Sequence, residues 1–179
     1  MAFRSDATNL VTGDTNGVSD IFVHDTQTNN TTIVSKHTDG NIGNSFSYNP
    51  SISSDGRYVA FHSYATTLVD NDTNGYGDIF VHDRNVDEDG IFDETGAVST
   101  TLVSRHTDGT QADNRSYIPS ISSDGRYVAF YSYATNIVDN DINGYFDIFV
   151  HDTQTSTTVL VSKHTDGTIG NSSSYNPSV

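Results

Sequence analysis

The sequence predicts an all-β fold, a β-propeller assembled from three four-stranded blades, and three observations predict it. One unit is written three times. Asp20-Ile21-Phe22-Val23-His24-Asp25 returns as Asp78 to Asp83 and as Asp147 to Asp152, and Ala2-Phe3 returns as Ala60-Phe61 and Ala129-Phe130. Between Pro50 to Asp83 and Pro119 to Asp152 only five of 34 positions differ, so the second and third units are close to a literal duplication. Within a unit, short β-type runs alternate with turn signals, and no stretch sustains a 3.6-residue apolar period. The central runs are apolar on both faces: Val59 and Phe61 oppose Tyr58 and Ala60, and Ile79 and Val81 oppose Phe80. A sheet with one wet face would alternate cleanly, so these strands belong between packed layers. Stacked four-stranded repeats are what propeller blades require, whereas the competing β-solenoid uses shorter coils without a four-strand meander.

The elements follow in order. In the second unit, strand A is expected at Pro50–Ser53, with a tight turn at Ser54-Asp55-Gly56-Arg57, where Gly accepts positive φ at little cost. Strand B follows at Tyr58–His62, strand C at Asp78–His82 and strand D at Thr101–Ser104. Blade 1 then covers about 2–40 with a strand A drawn from about 176–179. Blade 2 covers about 49–109 with an insertion at about 85–97 between C and D, and blade 3 covers about 118–167. Met1 takes the place of Val59, while Asn176-Pro177-Ser178-Val179 matches Asn49 to Ile52. Three blades are too few for a ring, which has about 4 to 8. The expectation is a homodimer of six blades, with Val179 of each chain beside Ala2 of the other. A stretch of a longer propeller is the other reading.

PSISSDGRYVAF followed by DIFVHD resembles the WD40-like repeats called PD40, found in TolB-type propeller proteins, and especially bacterial repeats carrying a DTNG-x-x-D loop. The resemblance extends over essentially the whole chain. It implies the propeller fold and no single activity, because such propellers serve as binding platforms, as accessory domains of enzymes and occasionally as enzymes.

Composition narrows the partners. With 8 Lys+Arg against 23 Asp+Glu the formal charge is −15, so nucleic acid and anionic membrane surfaces are repelled and cations are attracted. The absence of Cys removes disulfides, zinc-thiolate sites and Cys nucleophiles. MAFRSDATNL lacks a basic flank followed by an apolar run, so no signal peptide is expected in it. No segment approaches the roughly 20 apolar residues of a membrane span.

One loop recurs ahead of strand C in every blade. Blade 2 places Asp70, Asp72, Asn74, Gly75 and Asp78 at relative positions 1, 3, 5, 6 and 9. Blade 3 repeats this with Asp139, Asp141, Asn143, Gly144 and Asp147, and blade 1 has Thr12, Asp14, Asn16, Gly17 and Asp20. Ca²⁺ takes six to eight hard oxygens, and alternate residues of a tightly wound loop can aim theirs inward, with Gly permitting the sharp bend. The backbone carbonyl of Val18, Tyr76 or Tyr145 at position 7 would add a ligand. Position 12 is Val81 or Val150, not the bidentate Glu of an EF-hand, and the loop runs straight into a strand. The pattern therefore resembles the Asp-x-Asp-x-Asn-Gly-x-x-Asp calcium loops of FG-GAP propeller blades. Turn formation alone explains Asn-Gly but leaves converging carboxylates to repel one another without a cation. The insertion offers a fourth set, Asn85, Asp87, Asp89 and Asp93, with Glu94 adjacent, whose alternative is a solvated acidic loop. Three to four Ca²⁺ per chain are expected.

Catalysis has no clear carrier. The histidines repeat with the blades, His24, His82 and His151 at the end of strand C and His37, His106 and His164 before Thr-Asp-Gly, which points to structural hydrogen bonding. No Gly-x-Ser-x-Gly elbow is present. Tyr48, Tyr117 and Tyr175 before strand A, with Tyr64 and Tyr133 after strand B, could stack on a ligand or pack between blades. The leading expectation is a calcium-binding propeller scaffold. A calcium-dependent carbohydrate-binding propeller is the alternative. A lactonase-type hydrolase is the third, and it would need channel carboxylates that the inner segment Pro-Ser-Ile-Ser does not supply.

Overall fold

The computed structural model describes all 179 residues and contains eleven strands and no helix. They are β1 (Ala2–Ser5), β2 (Asp20–Asp25), β3 (Asn30–Ile33), β4 (Ser47–Ile52), β5 (Tyr58–Ser63), β6 (Asp78–Asp83), β7 (Ser99–Leu102), β8 (Ser116–Ile121), β9 (Tyr127–Ser132), β10 (Asp147–Asp152) and β11 (Thr157–Leu160). Three antiparallel meanders result: β1-β2-β3, β4-β5-β6-β7 and β8-β9-β10-β11. The blades of the sequence reading are these sheets, with blade 1 three-stranded within the chain.

Each A-to-B turn closes as its residues dictate. Gly56 sits at φ 79°. Asp55 accepts hydrogen bonds from the Ser53 hydroxyl at 2.6 Å and the Arg57 amide at 3.0 Å. Arg57 then reaches strand C and forms an ion pair with Asp83 at 2.8 Å, and Arg126 with Asp152 repeats the contact at 2.8 Å. The Arg of DGRY and the Asp of FVHD thus lock the B–C pairs of blades 2 and 3 at one end.

Strand A begins at Ser47 rather than Pro50, because the chain pairs on both sides of a bulge. Ser47 and Tyr48 pair with Ser63 and His62, the register shifts, and Ser51 and Ile52 pair with Ala60 and Val59. Asn49 turns the bulge in the left-handed region at φ 52°, as Asn176 does at φ 54°. In blade 3 the same position is Ile118 at φ 46°, where a β-branched side chain is strained. Ile118→Asn is expected to stabilise the protein by about 1 kcal/mol by relieving that strain. A thermal melt that is unchanged or lower would refute this.

Two apolar layers sit between blades, each fed by both neighbours. Ile21, Val23 and Val34 of blade 1 meet Val59, Phe61 and Phe80 of blade 2. Ile79, Val81 and Val103 of blade 2 meet Val128, Phe130 and Phe149 of blade 3. Hence each central strand is apolar on both faces. Hydrogen bonds reinforce each seam: the Thr100 hydroxyl donates to Lys36 O at 2.5 Å and the Thr158 hydroxyl to Arg105 O at 2.7 Å.

Candidate metal centres

The loop ahead of each strand C gathers around the carboxylate that begins it. Asp20, Asp78 and Asp147 are fully buried. A serine two residues past strand D holds one oxygen of each: Ser35, Ser104 and Ser162 donate to them, each at 2.6 Å. The same hydroxyls accept the amides of Ile21, Ile79 and Ile148 at 3.0 Å, so the loop, strand C and strand D meet at one point per blade.

The second oxygen faces the Asn-Gly turn. Asn16 and Asn74 donate to Asp20 and Asp78, both at 2.8 Å, and Asn143 donates to Asp147 at 2.6 Å. Each Asn amide also donates to a backbone carbonyl, Gly43, Ala112 or Gly170, at 3.0 Å. Its side-chain oxygen accepts the amide of Val18, Tyr76 or Tyr145. These asparagines therefore wind the loop with their oxygens already engaged.

Position 3 completes an acidic pair. Asp14, Asp72 and Asp141 are buried. Burial, and then the Asp72 charge, push the Asp78 carboxyl up to about 7 despite the hydrogen bonds that favour its anion. Asp141 is pushed up to about 6, first by burial and then by Asp147. Burial raises Asp20 as well, with Asp14 adding to it. Position 1 does not join them: the side chains of Asp70 and Asp139 are 93% and 91% exposed, and Thr12 is exposed.

The three pairs differ in what stabilises their charge. In blade 2 the Gln111 amide donates to Asp72 at 2.7 Å and Asp78 at 3.3 Å, while its oxygen accepts the Thr73 amide at 3.3 Å. Blades 1 and 3 carry Ile42 and Ile169 at that place. In blade 1 the Asp14 Oδ1 is buried without any hydrogen-bond partner. Sequence reasoning missed Gln111 and the three serines. The one available signal was a lone Gln at a position that is Ile in the other repeats.

In the insertion, Asp87, Asp89 and Glu94 converge, with carboxylate oxygens within 4.8 Å of one another at the surface. Desolvation, then the Asp89 and Asp87 charges, raise the Glu94 carboxyl. Asp93 does not join them, because Arg84 takes it in a buried ion pair at 2.5 Å. Asn85 is buried, and its Oδ1 has no partner.

The aromatic residues knit blades together. Tyr117 of blade 3 packs edge-on against His62 of blade 2 at 4.9 Å, and Tyr175 packs edge-on against Tyr131 at 5.4 Å. A Cβ on Gly77 would lie 2.2 Å from the His62 ring nitrogen. That is why His62 and Gly77 occur together where blade 3 has Tyr131 and Phe146. Tyr64, Tyr133 and Tyr175 keep their outer edges exposed. The strand C histidines bond locally to Thr31, Thr100 and Thr158. Burial holds His82 and His151 neutral, at about 3 and about 4.

Repeated four-stranded antiparallel sheets, stacked face to face with an acidic pair buried in each, define a propeller-type protein. Among solved structures, the chain is similar to a protein assigned as TolB from Agrobacterium tumefaciens, with a TM-score of 0.46 and 20% identity over 82% of this chain and 42% of that one. It is also similar to TolB from Acinetobacter baumannii, with a TM-score of 0.44 and 16% identity over 85% of this chain and 28% of the other. The chain thus spans less than half the length of either. No family profile and no curated protein matches its sequence. The assignment of blades rests on the sheet topology and the repeated seams, not on these likenesses.

Proposed function

We propose that this chain is a cation-stabilised propeller scaffold, with Ca²⁺ the cation that suits its donors. The observation that carries the reading is the Asp14 Oδ1, buried without a partner beside a second buried carboxylate. Two adjacent carboxylates out of water either take up protons or hold a positive charge. An all-oxygen donor set favours Ca²⁺ over Mg²⁺, which dehydrates reluctantly. The residues that would hold it are Asp14 with Asp20, Asp141 with Asp147, and the exposed trio Asp87, Asp89 and Glu94. In blade 2 the Gln111 amide already serves Asp72 and Asp78, which makes that pair the weakest of the sites expected. The ion's chemistry is charge neutralisation that ties the loop to strands C and D.

A ligand that binds only the folded state stabilises it by mass action, by about 2.7 kcal/mol at a hundredfold excess over Kd. EGTA is therefore expected to lower the melting temperature at pH 8, and added Ca²⁺ to restore it. An unchanged melt together with no calcium by elemental analysis overturns the reading. The carbohydrate-binding alternative is favoured by the exposed edges of Tyr64, Tyr133 and Tyr175, and glycan-array binding abolished by EGTA would displace the scaffold reading in its favour.

A further inference from the structure

The two outer blade faces repeat the two halves of the internal seams. On the trailing side of blade 3, Val161 is 45% exposed, whereas its counterparts Val103 and Val34 are 1% and 0% exposed inside the seams. Ile148 and Val150 are likewise half-buried where Ile79 and Val81 are buried. On the leading side of blade 1, Leu10 is 38% exposed, whereas Leu68 and Ile137 are 0% exposed. These faces carry the same residue types that pack against one another twice within the chain, so each is the complement of the other.

The backbone carries the same message. Ser47 N donates to Ser19 O at 2.8 Å and Ser116 N to Gly77 O at 2.8 Å, and Ser174 N donates to Phe146 O at 2.7 Å. Ile121 N donates to Ser51 Oγ at 3.1 Å, and Val179 N donates to Ser120 Oγ at 3.2 Å. Residues 174–179 therefore lie on blade 3 as each strand A lies on the blade before it, down to the left-handed Asn176. No strand pairs with them. At the other end of the chain, β1 is the edge of a sheet that has no strand A.

We infer that a second copy of this chain docks head to tail on the first, adding its residues 174–179 to β1 and seating blade 3 on blade 1. The internal register assigns the pairing: Ser174 opposite Ser5, Tyr175 opposite Arg4, and Ser178 opposite Ala2, as in β4 with β5. Thr31 would then donate to Lys163 O of the second copy, the bond that Thr100 and Thr158 make to Lys36 and Arg105. The contact is heterologous and closes after two copies, giving six blades with both edges paired and both apolar faces covered.

The serine pair supplies a direct test. Ser47 and Ser63 hydroxyls lie 2.9 Å apart and Ser116 and Ser132 hydroxyls 3.0 Å apart, so Ser5 and Ser174 are expected at similar range between copies. The chain has no Cys, and the variant S5C/S174C therefore reports only on this contact. Oxidation is expected to give a reducible species of twice the 19.4 kDa chain mass on a denaturing gel, matching the mass of the unmodified protein by light scattering. Val150→Asp, on the trailing face, is expected to halve the scattering mass while β-sheet circular dichroism is retained. A single-chain mass for the unmodified protein, a mass above two chains, or an S5C/S174C protein that fails to cross-link as a dimer each overturns the inference. If Val150→Asp does not fold, the cross-link and the unmodified mass decide alone.

Discussion

Asp93→Ala is expected to cost about 3–5 kcal/mol, the range for removing one partner of a buried ion pair. Arg84 and Asp93 have side-chain exposures of only 6% and 9%. The guanidinium donates to both Asp93 oxygens at 2.5 to 3.2 Å, donates to Gly56 O at 2.7 Å and lies 4.8 Å over the Phe92 ring. Truncating the carboxylate leaves that charge out of water and opposed by a single carbonyl. Blade 3 shows the alternative: Thr153 occupies the place of Arg84 and its hydroxyl reaches Gly125 O at 3.3 Å. Arg84→Thr combined with Asp93→Thr should therefore cost less than Asp93→Ala alone. Urea denaturation of the three proteins checks the order, and a double variant no better than the single one would show that the pair does not anchor the insertion.

The second large effect concerns Asp78 and pH. Its folded pKa, pushed up to about 7 chiefly by burial, lies above the 3.8 of an ordinary Asp. The folded protein then binds more protons than the unfolded chain between those values, so stability falls as pH rises through that window. The span corresponds to about 4 kcal/mol. Asp78→Asn removes the ionisation. In EGTA, the stability of this variant relative to the parent is expected to rise by up to that amount from pH 4 to pH 8. Comparing the two proteins cancels the opposing contribution of His62, His82 and His151, which stay neutral in the fold and weaken it as pH falls below their ordinary range. Equal pH slopes in both proteins would contradict this account of Asp78.

Blade number, the strand C positions and the Asp-Gly turns were legible in the sequence because they rest on short, continuously apolar runs and local turn chemistry that recur from blade to blade. Strand A was read too short. Asn49 signals a loop, and only the pairing of Ser47 and Tyr48 on its far side shows it to be a bulge within a strand. Strand D sits two residues earlier than expected, at Ser99–Leu102, because Val103 and Ser104 leave the ladder to cover the seam and to bind Asp78. The acidic loops were legible as sequence but not as a donor set. Spacing shows which residues alternate. It does not show that Asp70 and Asp139 turn to solvent, that Gln111 arrives from beyond strand D, or that Arg84 claims Asp93.

The threonine bonds that cross each seam join a blade only to its sequence neighbours. Cohesion is therefore nearest-neighbour in character, and loss of structure can spread from one blade to the next without passing through a single all-or-none step. Blade 2 is held on both sides within the chain, while blades 1 and 3 are each held by the chain on one side only. In the separated chain that Val150→Asp releases, amide hydrogens of β5 and β6 then exchange last, and those of β1 and β11 first, so that protection against exchange falls from the middle of the chain toward its ends.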